Sequence, residues 1–188
     1  MQKLIEDYIK ESSRVKLTLL SQTETILKIA QLLVEVSKNG GEIVSCGNGG
    51  SACDAIHFTE ELVARYLRER PGIRARHLCD PGILTCWGND YSFDGVFQRQ
   101  VEALMTSRDA LVVFTTSGNS KNVLLALEAA RKIGVKTVAL LGKGGGKAKD
   151  LADLSCIVDS DVTSHIQESH EAIMHILCDI VERTLFFS

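Results

Sequence analysis

Apolar positions along the 188 residues keep a helical rhythm first and an alternating strand–helix rhythm afterwards. Leu4, Ile5, Tyr8 and Ile9 recur at helix spacing, and so do Ile26, Leu27, Ile29, Ala30, Leu32, Leu33, Val34 and Val36. The second set is too wide for one buried face and predicts packing against another subunit as well as the core. Asn39-Gly40-Gly41 closes it, because glycine suits a left-handed helix end. Short apolar runs then alternate with longer amphipathic ones. Strands are expected over 42–46, 73–79, 110–115, 136–141 and 154–158. Helices are expected over 51–69, 120–133 and 166–187, with another around 93–105 inside a poorly defined stretch. Strands joined through helices of this length need crossover connections, and so predict an α/β fold with a parallel five-stranded sheet covered on both faces. The expected organisation is one domain over 1–188, with N-terminal packing helices over 1–40 and an α/β core over 41–188.

Composition narrows the function classes. Hydrophobic residues make up 45% and charged residues 24%, an ordinary globular balance, and the formal charge is −3. No basic field exists to hold nucleic acid, and no apolar run approaches the length of a membrane span. The first residues, Met1 to Asp7, carry acids and lack the apolar core of a signal peptide, so a cytoplasmic location is expected. Cys46, Cys53, Cys79, Cys86, Cys156 and Cys178 show neither a C-x-x-C pair nor a regular spacing. This disfavours a disulfide framework and a structural zinc knuckle.

In parallel sheets of this kind, ligands sit beyond the C-terminal strand ends, and the unusual residues gather there. Cys46-Gly47-Asn48-Gly49-Gly50-Ser51 follows the first strand and opens a helix. Thr115-Thr116-Ser117-Gly118-Asn119-Ser120 follows the third strand and opens another. Glycine lets backbone approach an anion closely, and helix N-termini offer free N–H groups. The nucleotide-triphosphate loop G-x-x-x-x-G-K-[ST] is absent, so a phosphomonoester held by hydroxyls and amides fits better. Gly47-x-Gly49-x-x-Ala52 also matches a dinucleotide fingerprint, with Asp80 as its ribose acid. Asp80 lies well past the usual spacing of about 20 residues.

His57 and Glu61 share one helix face at i,i+4, one to three turns past the first loop. The closing helix carries His165, Gln167, Glu168, His170, Glu171 and His175, and Glu171 and His175 form a second i,i+4 pair. Spacing alone does not choose among these groups. Gln167 and His175 stand about 12 Å apart on a regular helix, so both reach one ion only if it lies between them.

Taken together, Cys46 to Ser51, Asp54-Ala-Ile-His57-Phe-Thr-Glu60-Glu61-Leu62, Gly88-Asn89-Asp90, Thr116 to Ser120, and Ile166-Gln167-Glu168 with His175 resemble the sedoheptulose 7-phosphate isomerases. This is a family of the sugar isomerase (SIS) domain superfamily, and the resemblance covers essentially the whole chain. It implies a flavodoxin-like three-layer α-β-α sandwich and a homotetramer with sites at subunit interfaces. It also implies one zinc ion per subunit, and conversion of sedoheptulose 7-phosphate to glycero-manno-heptose 7-phosphate. That step would feed activated heptose into bacterial surface glycans, lipopolysaccharide or capsule. The implied zinc ligands are His57, Glu61, Gln167 and His175, and the implied acid/base pair is Glu61 and His175. Implied substrate contacts are Asn48, Gly49, Gly50, Ser51, Asn89, Asp90, Thr115, Thr116, Ser117, Ser120 and Gln167. Two features depart from the family: His165 replaces the common Arg before Ile-Gln-Glu, and 81–87 is unlike the commonest sequence. The rival reading is a non-catalytic SIS module that binds a phosphosugar or a protein such as a replication initiator. Such a module would lack the Glu61 and His175 equivalents.

Overall fold

A computed structural model describes residues 1–187; the last residue of the expected domain lies outside the described residues. The chain opens with α1 (Gln2–Thr18), a one-turn 3-10 helix (Leu19–Gln22) and α2 (Thr23–Lys38). The core follows as β1 (Ile43–Gly47), α3 (Gly50–Val63), β2 (Ala75–His77), α4 (Pro81–Asp90), α5 (Val96–Leu104), β3 (Ala110–Thr115), α6 (Lys121–Lys132), β4 (Lys136–Leu141), β5 (Leu154–Ile157) and α7 (Thr163–Phe186). The five strands are parallel in the order β2-β1-β3-β4-β5. That is the flavodoxin-like doubly wound order, whose switch point falls between β1 and β3.

Alternation along the central strands builds two cores. Val112, Phe114, Val138 and Leu140 point to the layer of α2, α3 and α7, where Ile29, Leu33, Phe58, Ile173 and Leu177 meet them. Leu111, Val113, Ala139 and Leu141 point to the other layer, with Phe97 and Val101 of α5 and Leu127 of α6. Every residue of β3 is buried, as expected of a parallel strand covered on both faces.

Local chemistry shifts three expected boundaries. The first loop helix was expected to reach residue 69, but α3 ends at Val63. There Arg70 donates from Nη2 to Glu61 O (2.7 Å) and from Nη1 to Leu62 O (2.9 Å). These carbonyls belong to the last turn, so a guanidinium takes the place of the next helical N–H groups. The second strand shrinks to three paired residues at the sheet edge. The poorly defined stretch holds an unanticipated helix, α4, with Pro81 at its first position and Asp80 Oδ1 accepting from Ile83 N (3.0 Å). Asp80 is thus an N-cap of the ordinary kind, and the dinucleotide reading loses its ribose acid. All six cysteines are free thiols.

On α1, Leu4, Ile5, Tyr8 and Ile9 are exposed, and only Ser12 and Val15 are buried. The apolar stripe is real, but within this chain nothing covers it.

Candidate active site

The loops after β1 and β3 lie at the switch point, and α7 starts beside them. Together they wall a cavity of about 250 Å³ lined by Asn48, Gly50, Ser51, Phe114, Thr115, Thr116, Ser117, Ser120, Thr163 and Gln167. Among the described residues no Lys or Arg lines it. Its affinity for an anion has to come from hydroxyls and from the N-terminal ends of α3, α6 and α7. The two loops are stitched together by reciprocal amide hydrogen bonds between Asn48 and Asn122, each 2.9 Å. Two glycines are required here. Gly49 sits at φ +58, and a Cβ on Gly50 would stand 2.4 Å from Gln167 Nε2. Gly50 therefore lets α7 close onto the start of α3.

Farther along the same two helices, His57 and Glu61 meet His175. Glu61 Oε1 stands 3.2 Å from His57 Nε2 and 3.9 Å from His175 Nε2. The two imidazoles meet edge to face, with centroids 5.1 Å apart. One donor atom from each of the three side chains lies within 4.8 Å of the others. Tyr66 stacks on the outer face of His175 at 5.5 Å and 17°. Two imidazoles and one carboxylate form a donor set suited to catalytic zinc, which leaves a coordination position open.

A buried ion pair ties this end together. Arg70 Nε donates to Glu182 Oε2 (3.1 Å), and both side chains are sealed from solvent. Glu182 lies on α7 beyond His175, and Arg70 grips the α3 end that carries Glu61. Arg68 donates to the other Glu182 oxygen (3.1 Å) and to Asp179 (3.0 Å), and Tyr66 N donates to Glu182 Oε2.

The structure therefore brings Asn48, Gly50, Ser51, Thr115, Thr116, Ser117, Ser120 and Gln167 around one cavity, with Gly49 at the turn that shapes it. Of the four implied metal ligands it gathers His57, Glu61 and His175, while the Gln167 amide abuts Gly50 at the cavity end. Asn89 and Asp90 lie exposed at the end of α4, not on the cavity wall. Of the other histidines, His170 is buried, with Nε2 3.2 Å from Leu141 O, and burial lowers its pKa to about 4. His165 packs against the Tyr8 ring. Sequence reasoning missed Thr163, Arg70, Tyr66 and Glu182. Pro71 after Arg70 signalled a helix stop nearby, but nothing local pointed across to α7.

A doubly wound sheet with an anion cradle at its switch point and an imidazole–carboxylate cluster beside it defines the class, a phosphosugar-handling SIS domain. The model of the SIS domain family matches residues 7–142. The chain is 48% identical over 179 residues to the phosphoheptose isomerase of Helicobacter pylori (strain P12), covering 95% of this chain and 93% of that one. It is 48% identical over 187 residues to that of Leptospira biflexa serovar Patoc, covering 97% and 96%. A solved phosphoheptose isomerase from Francisella tularensis superposes with a TM-score of 0.93 at 37% identity, covering 97% of this chain and 98% of that one. The chain belongs to the phosphoheptose isomerases of the SIS domain family.

Proposed function

We propose that this enzyme interconverts sedoheptulose 7-phosphate and glycero-manno-heptose 7-phosphate. One observation carries the reading. The helices whose first turns wall the anion cavity also bring Glu61 and His175 together farther along. A substrate anchored by its phosphate then presents its carbonyl end to a base and an acid.

The chemistry is a proton transfer with no net redox change. Glu61 takes a proton from C1 of the ketose and returns one to C2, while His175 passes the O1 proton to O2. A positioned acid/base group contributes about 10²–10⁴-fold, and imidazole, titrating near neutrality, suits transfer in either direction. His57, Glu61 and His175 would hold zinc, with Gln167 as the fourth ligand implied by the family. Zinc, when bound, polarises the carbonyl and stabilises negative charge on its oxygen.

We further propose a homotetramer with sites at its interfaces. Support comes from the uncovered stripe of α1 and from an apolar groove of about 680 Å³ between the α1–α2 junction and α7, lined by Leu17, Leu20, Leu27, Ile176 and Ile180 among others. A cytoplasmic location is supported by the six reduced thiols. Among the described residues no helix is long and apolar enough to cross a membrane. The heptose product is proposed to enter surface glycans, lipopolysaccharide or capsule.

The test is direct: sedoheptulose 7-phosphate is given to the purified protein and the aldose is followed by proton NMR. Appearance of the aldose supports the reading, and an unchanged ketose refutes it.

A further inference from the structure

The site is a ladder between two helices that rise side by side. Its first rung sets Gly50 and Ser51 against Gln167, and its third sets His57 and Glu61 against His175. Between them one rung has no role yet. Asp54 lies three residues from both Ser51 and His57, about 4.5 Å of helix rise on either side. Glu171 lies four residues from both Gln167 and His175.

Asp54 is only 5% exposed, and its Oδ2 is buried with no hydrogen-bond partner among the described residues. Buried polar atoms are nearly always paired, so this oxygen lacks a donor that the folded chain does not supply. The charged groups acting on it are Glu171, another acceptor, and His57. Burial and the Glu171 charge raise its pKa to about 7. Two carboxyls repel a phosphate, so this rung does not take the anionic end of a ligand. A polyhydroxy chain with its phosphate at the first rung and its carbonyl at the third must lay its middle carbons across the second. Those carbons carry the missing O–H donors.

We infer that Asp54, with Glu171 opposite, is the subsite that accepts hydrogen bonds from the mid-chain hydroxyls of the sugar phosphate and so selects its length and configuration. The inference rests on the isomerase reading and deepens it. The test compares wild-type protein with D54A by calorimetric titration of sedoheptulose 7-phosphate, its 5-deoxy analogue and inorganic phosphate. D54A is expected to weaken the heptulose phosphate about 10- to 100-fold, the loss of a hydrogen bond to a charged group. Inorganic phosphate should bind unchanged, the 5-deoxy analogue should bind both proteins alike, and the melting temperature should not fall. Equal heptulose phosphate affinity in the two proteins overturns the inference. So does a parallel loss for inorganic phosphate, which would mark Asp54 as structural. If D54A does not fold, E171Q takes its place: a smaller loss confined to the heptulose phosphate supports the subsite, and no loss overturns it. A wild-type protein that binds but does not turn over the ketose would sink the isomerase reading instead, so the two failures are distinguishable.

Discussion

Replacing Arg70 by Met separates what holds the site from what reacts in it. Arg70 and Glu182 are sealed from solvent, and Arg70 donates to Glu182 and to the carbonyls of Glu61, Leu62 and Pro71. Removing one partner of a buried pair costs about 3–5 kcal/mol, because the remaining charge stays desolvated and unpaired. At about 2–4 °C per kcal/mol for a chain of this size, R70M should melt roughly 6–20 °C lower. E182L should be destabilised similarly, since it strands Arg70 and leaves Arg68 only Asp179. The double variant R70M/E182L removes both charges, so its loss should be well short of the sum of the two. Thermal and urea unfolding at one fixed protomer concentration provide the assay, because any assembly makes stability concentration-dependent. Additivity of the two single effects within about 0.5 kcal/mol would refute the coupling. Where R70M still folds, turnover should fall more than phosphate binding, since the cradle lies at the other end of α3. Equal losses of both would mean that the pair does not specifically position Glu61 and His175.

E61Q should abolish turnover of sedoheptulose 7-phosphate while titrations still show it binding; wild-type rates would remove Glu61 from the mechanism. A strong chelator should suppress activity and added zinc restore it, with about one zinc per subunit by elemental analysis falling on H57A; indifference to both would leave a metal-free acid/base pair. His170 supplies a pH signature. Its pKa in the folded state is about 4 against about 6.5 unfolded, so between these values the unfolded chain binds the extra proton. Stability should therefore fall as pH drops from about 6.5 to 4, by up to about 3 kcal/mol, and this contribution should level off below. H170Q should lack that part of the slope in urea unfolding, and parallel curves for the two proteins would refute the assignment.

The central strands were legible because burial on both faces leaves little choice. The runs 110–115 and 136–141 are almost wholly apolar, and both became strands within those bounds. The two loops were legible because glycine, hydroxyls and a helix start coincide, and the structure joins them at one cavity. The ends of elements were less so, because distant side chains set them. α3 stops where Arg70 caps it, and that cap depends on Glu182 far along the chain. α4 escaped notice because none of its residues, as described, is buried, so no apolar period marks it; only Asp80-Pro81 signalled its start. Spacing offered two equivalent pairs, His57/Glu61 and Glu171/His175, and could not choose between them. The parallel seating of α3 and α7 decides the matter, matching His57 and Glu61 to His175 and leaving Glu171 opposite Asp54.

α7 links the chemistry to the uncovered surface. Gln167, Glu171 and His175 recur every four residues along the stripe that meets α3. Ala172, Ile176 and Ile180 recur at the same interval one position on, along the floor of the apolar groove. Glu168, one turn before Ala172, accepts from Tyr8 Oη (2.7 Å) and from Ser12 Oγ, so α1 is clasped to α7 directly beside Gln167. A helix carrying reactive groups on one stripe and an unfilled apolar groove on the adjacent one transmits whatever presses on the groove. A second copy seated there would bury Leu17, Leu20 and Ile176, and would press α7 onto α3 along the length where the phosphate cradle and the Glu61–His175 pair are built. The phosphate end tolerates looseness, because backbone amides and hydroxyls offer many donors. The proton-transfer end does not, since Glu61 and His175 must face adjacent carbons together. Assembly through this groove would therefore act on turnover more than on phosphate affinity, which gives a physical reason for siting catalysis where copies of the chain meet.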